Sequence, residues 1–160
     1  MMKLMYRSTR DNRNRVAASQ AVLQGLSPDG GLYVPETMPV LTKSMKELSL
    51  MNYRELAYEI MSLFLTDYTE EELKDCINKA YDDKFDTPEI APLRKVGDSY
   101  FLELFHGQTI AFKDMALSIL PHLLVTAARK NKLEEEIVIL TATSGDTGKA
   151  ALAGFADVEG

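Results

Sequence analysis

Apolar residues recur with helical spacing in three segments of the first half of the chain. These segments are residues 14–26, 52–66 and 69–83, and each predicts a helix because its apolar positions fall three or four residues apart. Thr69 and Glu72 have the spacing of a capping box at the start of the third helix. The predicted inward positions of that helix are Leu73, Cys76, Ile77 and Ala80.

Short extended segments flank the first of these helices. Residues 3–9 predict a strand, because tyrosine and threonine favour extended backbone, and Gly25 is the expected end of the helix that follows. Residues 27–31, with the sequence SPDGG, form the strongest turn signal in the chain, and residues 32–34 predict a second strand. The first third therefore predicts a small α+β unit.

The segment from residue 85 to residue 98, FDTPEIAPLRKVGD, is the best candidate for a domain boundary. It contains two prolines and a glycine, which interrupt both helix and strand patterns. The predicted division is an N-terminal domain over residues 1–88 and a second domain over residues 89–160.

Strand and helix patterns alternate after this boundary. The predicted elements are a strand at 99–105, a helix at 111–132, a strand at 136–142, a turn at 144–148 and a helix at 148–156. Pro121 should kink or split the long helix. The apolar stripe of that helix comprises Phe112, Met115, Ala116, Ile119, Leu120, Leu123, Leu124 and Ala127. This alternation is typical of the α/β class with a parallel sheet. Since two parallel strands cannot cover their own faces, we expect the chain to be the front part of a longer protein.

Composition and charge exclude several classes of binding partner and of structural or metal site. The chain has 160 residues, a net charge of −6 and no basic block, so nucleic acid and anionic membrane are not expected partners. A single cysteine, Cys76, rules out an intrachain disulfide and favours a reducing, cytoplasmic setting. Neither His106 nor His122 has a second ligand at metal-binding spacing, so no metal site is expected.

Lys113 lies in the opening turn of the predicted long helix and has two interpretations. Most lysines are solvated surface charges, and this one could be another. However, a cation is disfavoured at a helix N-terminus, and the neighbours Ile110, Ala111 and Phe112 are apolar. Partial desolvation favours the neutral amine, which is the form that attacks an aldehyde. The position therefore suits a lysine that forms a Schiff base.

The turn at residues 144–148, SGDTG, lies between a predicted strand and a helix and is a candidate anion site. Free amides at a helix N-terminus bind anions, although Ser144, Asp146 or Thr147 could merely cap the helix. A nucleotide phosphate loop is excluded, because Thr143 replaces its first glycine and Ala150 replaces the hydroxyl residue that ligates magnesium.

Three motifs, in order, resemble threonine synthase over essentially the whole chain. The N-terminal run YRSTR…QAVLQGLSPDGGLYVPE is similar to the leading domain of that family, and HGQTIAFKDMA and TATSGDTGKAAL are similar to its site motifs. The resemblance implies the fold type II arrangement of the tryptophan synthase β-subunit group. It also implies conversion of O-phospho-L-homoserine and water to L-threonine and phosphate, with pyridoxal 5′-phosphate as cofactor.

The resemblance assigns a role to each motif residue. Lys113 would hold the cofactor and act as the catalytic base, with Phe112 and Asp146 beside the cofactor. The substrate carboxylate would bind the turn, which comprises Ser144, Gly145, Asp146, Thr147 and Gly148. Gln108 departs from the proline that the family commonly has there, which should loosen the turn without removing a chemical group.

Length is the larger departure from the family. Its members are nearly three times longer, and the glycine-rich loop that grips the cofactor phosphate is expected beyond residue 160. These 160 residues alone are therefore expected to be inactive, to depend on the rest of their polypeptide and to self-associate through apolar residues near Ile137, Ile139 and Leu152. Two alternatives stay open: another lyase of the same cofactor fold, and a non-catalytic truncated domain.

Overall fold

The protein is a mixed α/β molecule, as the sequence predicts. The structure, a computed structural model, describes residues 3–11 and 13–159; Met1, Met2, Asn12 and Gly160, which the predicted domain ranges include, lie outside them. The strands are β1 (Met5–Ser8), β2 (Arg15–Ala17), β3 (Tyr33–Pro35), β4 (Leu93–Val96) and β5 (Ser99–Leu102). The helices are α1 (Ala18–Gln24), α2 (Met45–Leu48), α3 (Tyr53–Phe64), α4 (Glu70–Ala80), α5 (Asp114–Leu117), α6 (Leu120–Lys130) and α7 (Asp146–Phe155).

The N-terminal sheet is antiparallel, with β1 between β2 and β3. The predicted turn leads into β3. Its Asp29 carboxylate accepts hydrogen bonds from the Gly31 amide at 2.9 Å and the Ser8 hydroxyl at 2.8 Å. Gly30 has a φ of 76°, a conformation that favours glycine. The turn prediction is confirmed, and the turn is tied to the central strand of the sheet.

The helix predicted over residues 14–26 is wrong in its first part. Residues 15–17 form β2 and pair with residues 5–7 of β1. Val16, opposite Tyr6, is buried by this pairing, so tertiary burial overrides the local helical pattern. The helix begins only at Ala18, and it ends at Gly25 as predicted, with a φ of 69°.

Helices α3 and α4 form where the sequence patterns predict helices. The hydroxyl of Thr69 accepts from the Glu72 amide at 3.2 Å, and the Glu72 carboxylate accepts from the Thr69 amide at 2.8 Å. The four predicted inward residues of α4 are all buried. Helix α2 was not predicted, although Ser44 and Glu47 carry the same capping signal.

One hydrophobic core joins α4 to α6. Leu73 and Ile77 of α4 belong to the same buried cluster as Leu123 and Ala127 of α6. The Tyr68 hydroxyl donates to the Leu123 carbonyl at 3.0 Å within this cluster. Helix α6 is thus anchored on the N-terminal half of the chain.

A β-hairpin occupies part of the predicted boundary segment. Strand β4 was not predicted, and it pairs with β5 across the two-residue turn Gly97–Asp98, where Gly97 has a φ of 59°. Glycine followed by aspartate between two extended runs is a known hairpin signal that could have identified it. Strand β5 ends at Leu102, earlier than the predicted residue 105.

The strand predicted over residues 136–142 is not formed. The segment is largely exposed, with Val138 at 77% and Leu140 at 92% exposure. A strand requires a hydrogen-bonded neighbour, and every strand pair among the described residues is antiparallel and lies elsewhere.

No helix within residues 3–11 and 13–159 is long and apolar enough to cross a membrane.

Candidate functional site

Lys113 directly precedes α5, the first helical turn within the segment that was predicted as one long helix. It is the N-cap residue of α5, which ends at Leu117, and α6 begins at Leu120 with Pro121 in its first turn. Proline is tolerated there because the first turn has no intrahelical partner for its amide. The prediction that Pro121 splits the helix is therefore confirmed.

A buried carboxylate closes the loop that leads to Lys113. Asp114 is only 3% exposed, and its carboxylate accepts hydrogen bonds from the Thr109 amide at 2.7 Å and the Thr109 hydroxyl at 2.6 Å. Both partners come from the same loop, so Asp114 ties its end back to its middle. Lys113, the neighbour of Asp114, is held at the rim of this closed loop.

Gly107 allows the loop to fold against Asp114. A Cβ placed on Gly107 would lie 2.5 Å from the Asp114 Cβ, closer than side chains approach. The Ile110 amide donates to the Gly107 carbonyl at 3.0 Å, and Ile110 has a φ of 66°. That angle is unusual for a β-branched residue, and such strain is often found at functional sites.

His106 begins the loop and lies between two carboxylates. Its Nδ1 is 2.5 Å from Asp86 Oδ1, and its Nε2 is 3.0 Å from Glu103 Oε2. The pKa of His106 is raised because Glu103 and Asp86 accept hydrogen bonds from the ring. From the sequence, His106 was a candidate only for metal binding. The pairing joins residues 20 positions apart, so spacing alone gave no signal.

The side chain of Lys113 is only partly exposed and lies over an aromatic ring. Its Nζ is 4.9 Å from the centre of the Phe112 ring, and no carboxylate within residues 3–11 and 13–159 pairs with it. Phe112 itself is 58% exposed, so its predicted place in the apolar stripe is wrong. The stripe assumed one continuous helix, whereas α5 is a single turn.

The turn at residues 144–148 is capped by a different residue from those considered. The Thr143 hydroxyl accepts from the Gly148 amide at 2.9 Å and from the Gly145 amide at 3.3 Å. In the described part of the chain, the side chains of Ser144, Asp146 and Thr147 make no hydrogen bond. The alternative that one of them caps the helix is therefore wrong.

Helix α7 begins at Asp146, two residues earlier than predicted, and leaves amides free at its start. Gly145, with a φ of 141°, is its N-cap residue. Among the described residues, the amides of Asp146 and Thr147 have no acceptor. Unpaired amides in the first turn of a ten-residue helix can bind an anion, such as a carboxylate.

The helices that follow the two motifs are in direct contact. A Cβ placed on Gly154 of α7 would overlap the carbonyl of Leu117 in α5, so glycine permits this close approach. A cavity of about 240 Å³ lies beside the contact, and its lining includes Gln108, Asp114 and His122. No cluster of three potential metal ligands occurs within the part of the chain that the structure describes.

This chain is similar to known threonine synthases. A family profile described as "Threonine synthase N terminus" matches residues 5–81. Threonine synthase from Schizosaccharomyces pombe is 38% identical over 163 residues, which cover 96% of this chain and 32% of that protein. The chain matches the N-terminal third of threonine synthases. The resemblance seen in the motifs is confirmed.

Solved threonine synthase structures share the fold. The crystal structure of pyridoxal phosphate-bound threonine synthase from Brucella melitensis superimposes with a TM-score of 0.85 and 31% identity, over 98% of this chain and 34% of that one. Threonine synthase from yeast superimposes with a TM-score of 0.84 and 34% identity, with the same coverage. This chain therefore spans about a third of the length of the threonine synthases that it matches.

Proposed function

We propose that these residues form the N-terminal part of a threonine synthase. The reaction is the conversion of O-phospho-L-homoserine and water to L-threonine and phosphate, with pyridoxal phosphate as cofactor. The observation that carries the proposal is the match to threonine synthases over nearly the whole chain, with a lysine-bearing loop and a free helix N-terminus at the two motif positions. The single cysteine, buried in α4, supports a reducing cytoplasmic setting.

The residues around Lys113 are compatible with the cofactor. An amine without a carboxylate partner in the described residues is available to hold an aldehyde covalently. The Asp114–Thr109 hydrogen bonds fix the backbone next to it, and the exposed Phe112 ring offers an apolar face. When bound, pyridoxal phosphate supplies an electron-withdrawing ring that stabilises negative charge on the substrate carbons.

The chain's own residues would perform binding and proton transfer. The amides of Asp146 and Thr147 would fix the substrate carboxylate, and the turn that bears them comprises Ser144, Gly145, Asp146, Thr147 and Gly148. The Lys113 amine would move protons at the α and β carbons of the substrate as a general base. Phosphate would leave from the γ carbon, and water would add at the β carbon.

Borohydride trapping tests the assignment of Lys113. The protein, expressed as its gene encodes it and loaded with pyridoxal phosphate, should carry the pyridoxyl mass on Lys113 after reduction and peptide mapping. Lys113→Ala should abolish both the label and turnover, because it removes the only group assigned to both functions. Lys46→Ala, in the short helix α2, should retain both.

Two results would contradict the proposal in different ways. A label on Lys95, Lys130 or Lys149 would show that the cofactor lysine is wrongly assigned. A label on Lys113 without phosphate release from O-phospho-L-homoserine would keep the cofactor site and favour another lyase of the same fold.

A further inference from the structure

We infer that His106, held as an imidazolium between Asp86 and Glu103, is a positioning residue for the loop that bears Lys113. The inference rests on the proposed function in one respect, namely the catalytic role of Lys113. This clamp, formed by His106, Asp86 and Glu103, should hold at about pH 6 and release the loop as the pH rises toward about 9.

The geometry requires both ring nitrogens of His106 to donate. Each nitrogen lies within hydrogen-bonding distance of a carboxylate oxygen, at 2.5 Å and 3.0 Å. A neutral imidazole has one N–H and can donate to only one of them, whereas the imidazolium donates to both. Hydrogen bonds between charged partners are also the stronger kind. The arrangement therefore selects the protonated ring, which is only 13% exposed.

The clamp fixes one end of the loop, and Asp114 fixes the other. Asp86 also donates its backbone amide to the His106 carbonyl at 3.0 Å, so both the side chain and the main chain of His106 are held. Between the two anchors lie Gly107 and the strained Ile110. A loop with a strained residue relaxes when an anchor is lost, and Lys113 would move with it.

The charged groups that face His106 come from three parts of the chain. Asp86 lies in the segment after α4, and Glu103 follows β5. Arg94 of β4 lies 3.7 Å from the same Glu103 oxygen and 3.2 Å from Glu89. Arg94 does not replace the ring as the partner of Glu103, because its guanidinium lies farther from that oxygen than the ring nitrogen does.

The sign of the pH dependence follows from the raised pKa of His106. A histidine with a pKa higher in the folded state than in the unfolded state stabilises the fold fully below the unfolded pKa. That contribution is lost as the pH rises through the folded pKa. The pKa of His122 is instead lowered, by burial and by Lys79 and Lys84, so its effect has the opposite sign.

Hydrogen exchange of the loop tests the inference in the protein as its gene encodes it, with or without cofactor. After correction for intrinsic exchange, amides 107–113 should exchange on the order of tenfold faster at about pH 9 than at about pH 6. This ratio corresponds to the loss of one charge-assisted hydrogen bond. His106→Gln should exchange fast at both pH values. His122→Gln, which changes the only other histidine, should behave like the wild type.

Further measurements separate positioning from a general loss of structure. Glu103→Gln keeps the ring but removes one charged partner, so it should exchange faster and lower the pKa of His106 in an NMR titration. In the loaded enzyme, His106→Gln should lower kcat more than it changes KM. Equal loop protection in His106→Gln and wild type, or a pH dependence that persists in His106→Gln, would overturn the inference. Neither result depends on the identity of the substrate.

Discussion

At the scale of single residues, the sequence shows the motif around Lys113 but not the contacts that hold its loop in place. The type of residue and its place at a helix start made Lys113 a candidate, and the resemblance to threonine synthase gave it a role that stays a prediction. Gly107, Thr109 and Asp114 lie within the same short loop, yet the contacts among them follow no helical or strand period. Periodic patterns in a sequence report only the contacts along a helix face or a strand, so they do not reveal a loop that is closed by its own side chains.

Gly107→Ala should destabilise the fold, because the added methyl group would lie 2.5 Å from the Asp114 Cβ. Relief of this overlap must move Asp114 and weaken its two hydrogen bonds with Thr109. We expect the free energy of unfolding, measured with urea, to fall by about 1–3 kcal/mol, as is typical of overpacking.

The neighbouring residue provides a matched control for Gly107. Gln108 is exposed, and Gln108→Ala should change the free energy of unfolding by no more than about 0.5 kcal/mol. Equal stability of Gly107→Ala and the wild type would show that the loop adapts without loss, and that Asp114 does not depend on glycine there.

At the scale of elements, helices with a capping signal and a full apolar stripe were predicted well. Helix α4 satisfies both conditions, and its inward face is buried as expected. Elements whose form depends on distant partners were missed or misplaced. Residues 15–17 form a strand only because β1 lies beside them and pairs with them. Residues 136–142 stay exposed because no strand among the described residues lies beside them. A local pattern cannot report whether such a neighbour is present.

The start of α7 provides a prediction at this scale. Thr143→Val keeps the shape of the side chain but removes the oxygen that accepts from the Gly148 and Gly145 amides. Loss of a helix cap typically costs about 0.5–2 kcal/mol, so the free energy of unfolding should fall by that amount.

Ser144→Ala is the control for the cap. Ser144 makes no hydrogen bond to the described residues, so its loss should leave the free energy of unfolding within about 0.5 kcal/mol of the wild type. If Ser144→Ala were the less stable variant, the cap would be assigned to the wrong residue.

At the scale of the whole molecule, the core and the apolar surface lie in different regions. The core joins α4 to α6 and contains the side chains that the stripes predicted, such as Leu73 and Leu123. Beyond α6, several large apolar side chains face outward, including Val138, Leu140 and Leu152. The sequence predicts self-association through the apolar residues of this region, near Ile137, Ile139 and Leu152. The burial of these side chains depends on contacts with segments far away in the sequence, which a local pattern does not record.

This exposed face predicts that the 160-residue polypeptide self-associates. Val138, Leu140 and Leu152 are 77%, 92% and 70% exposed, and residues 136–142 lack a strand partner among the described residues. An extended apolar segment with unpaired backbone groups is a template for pairing with another copy. Sedimentation velocity should therefore show a weight-average mass that rises with concentration.

The double variant Val138→Lys and Leu140→Lys should shift the distribution to monomer, because charges oppose both edge pairing and apolar contact. Val40→Lys, at a residue 79% exposed elsewhere on the surface, should associate like the wild type. A wild-type polypeptide that stayed monomeric at every concentration would show that this face does not drive association.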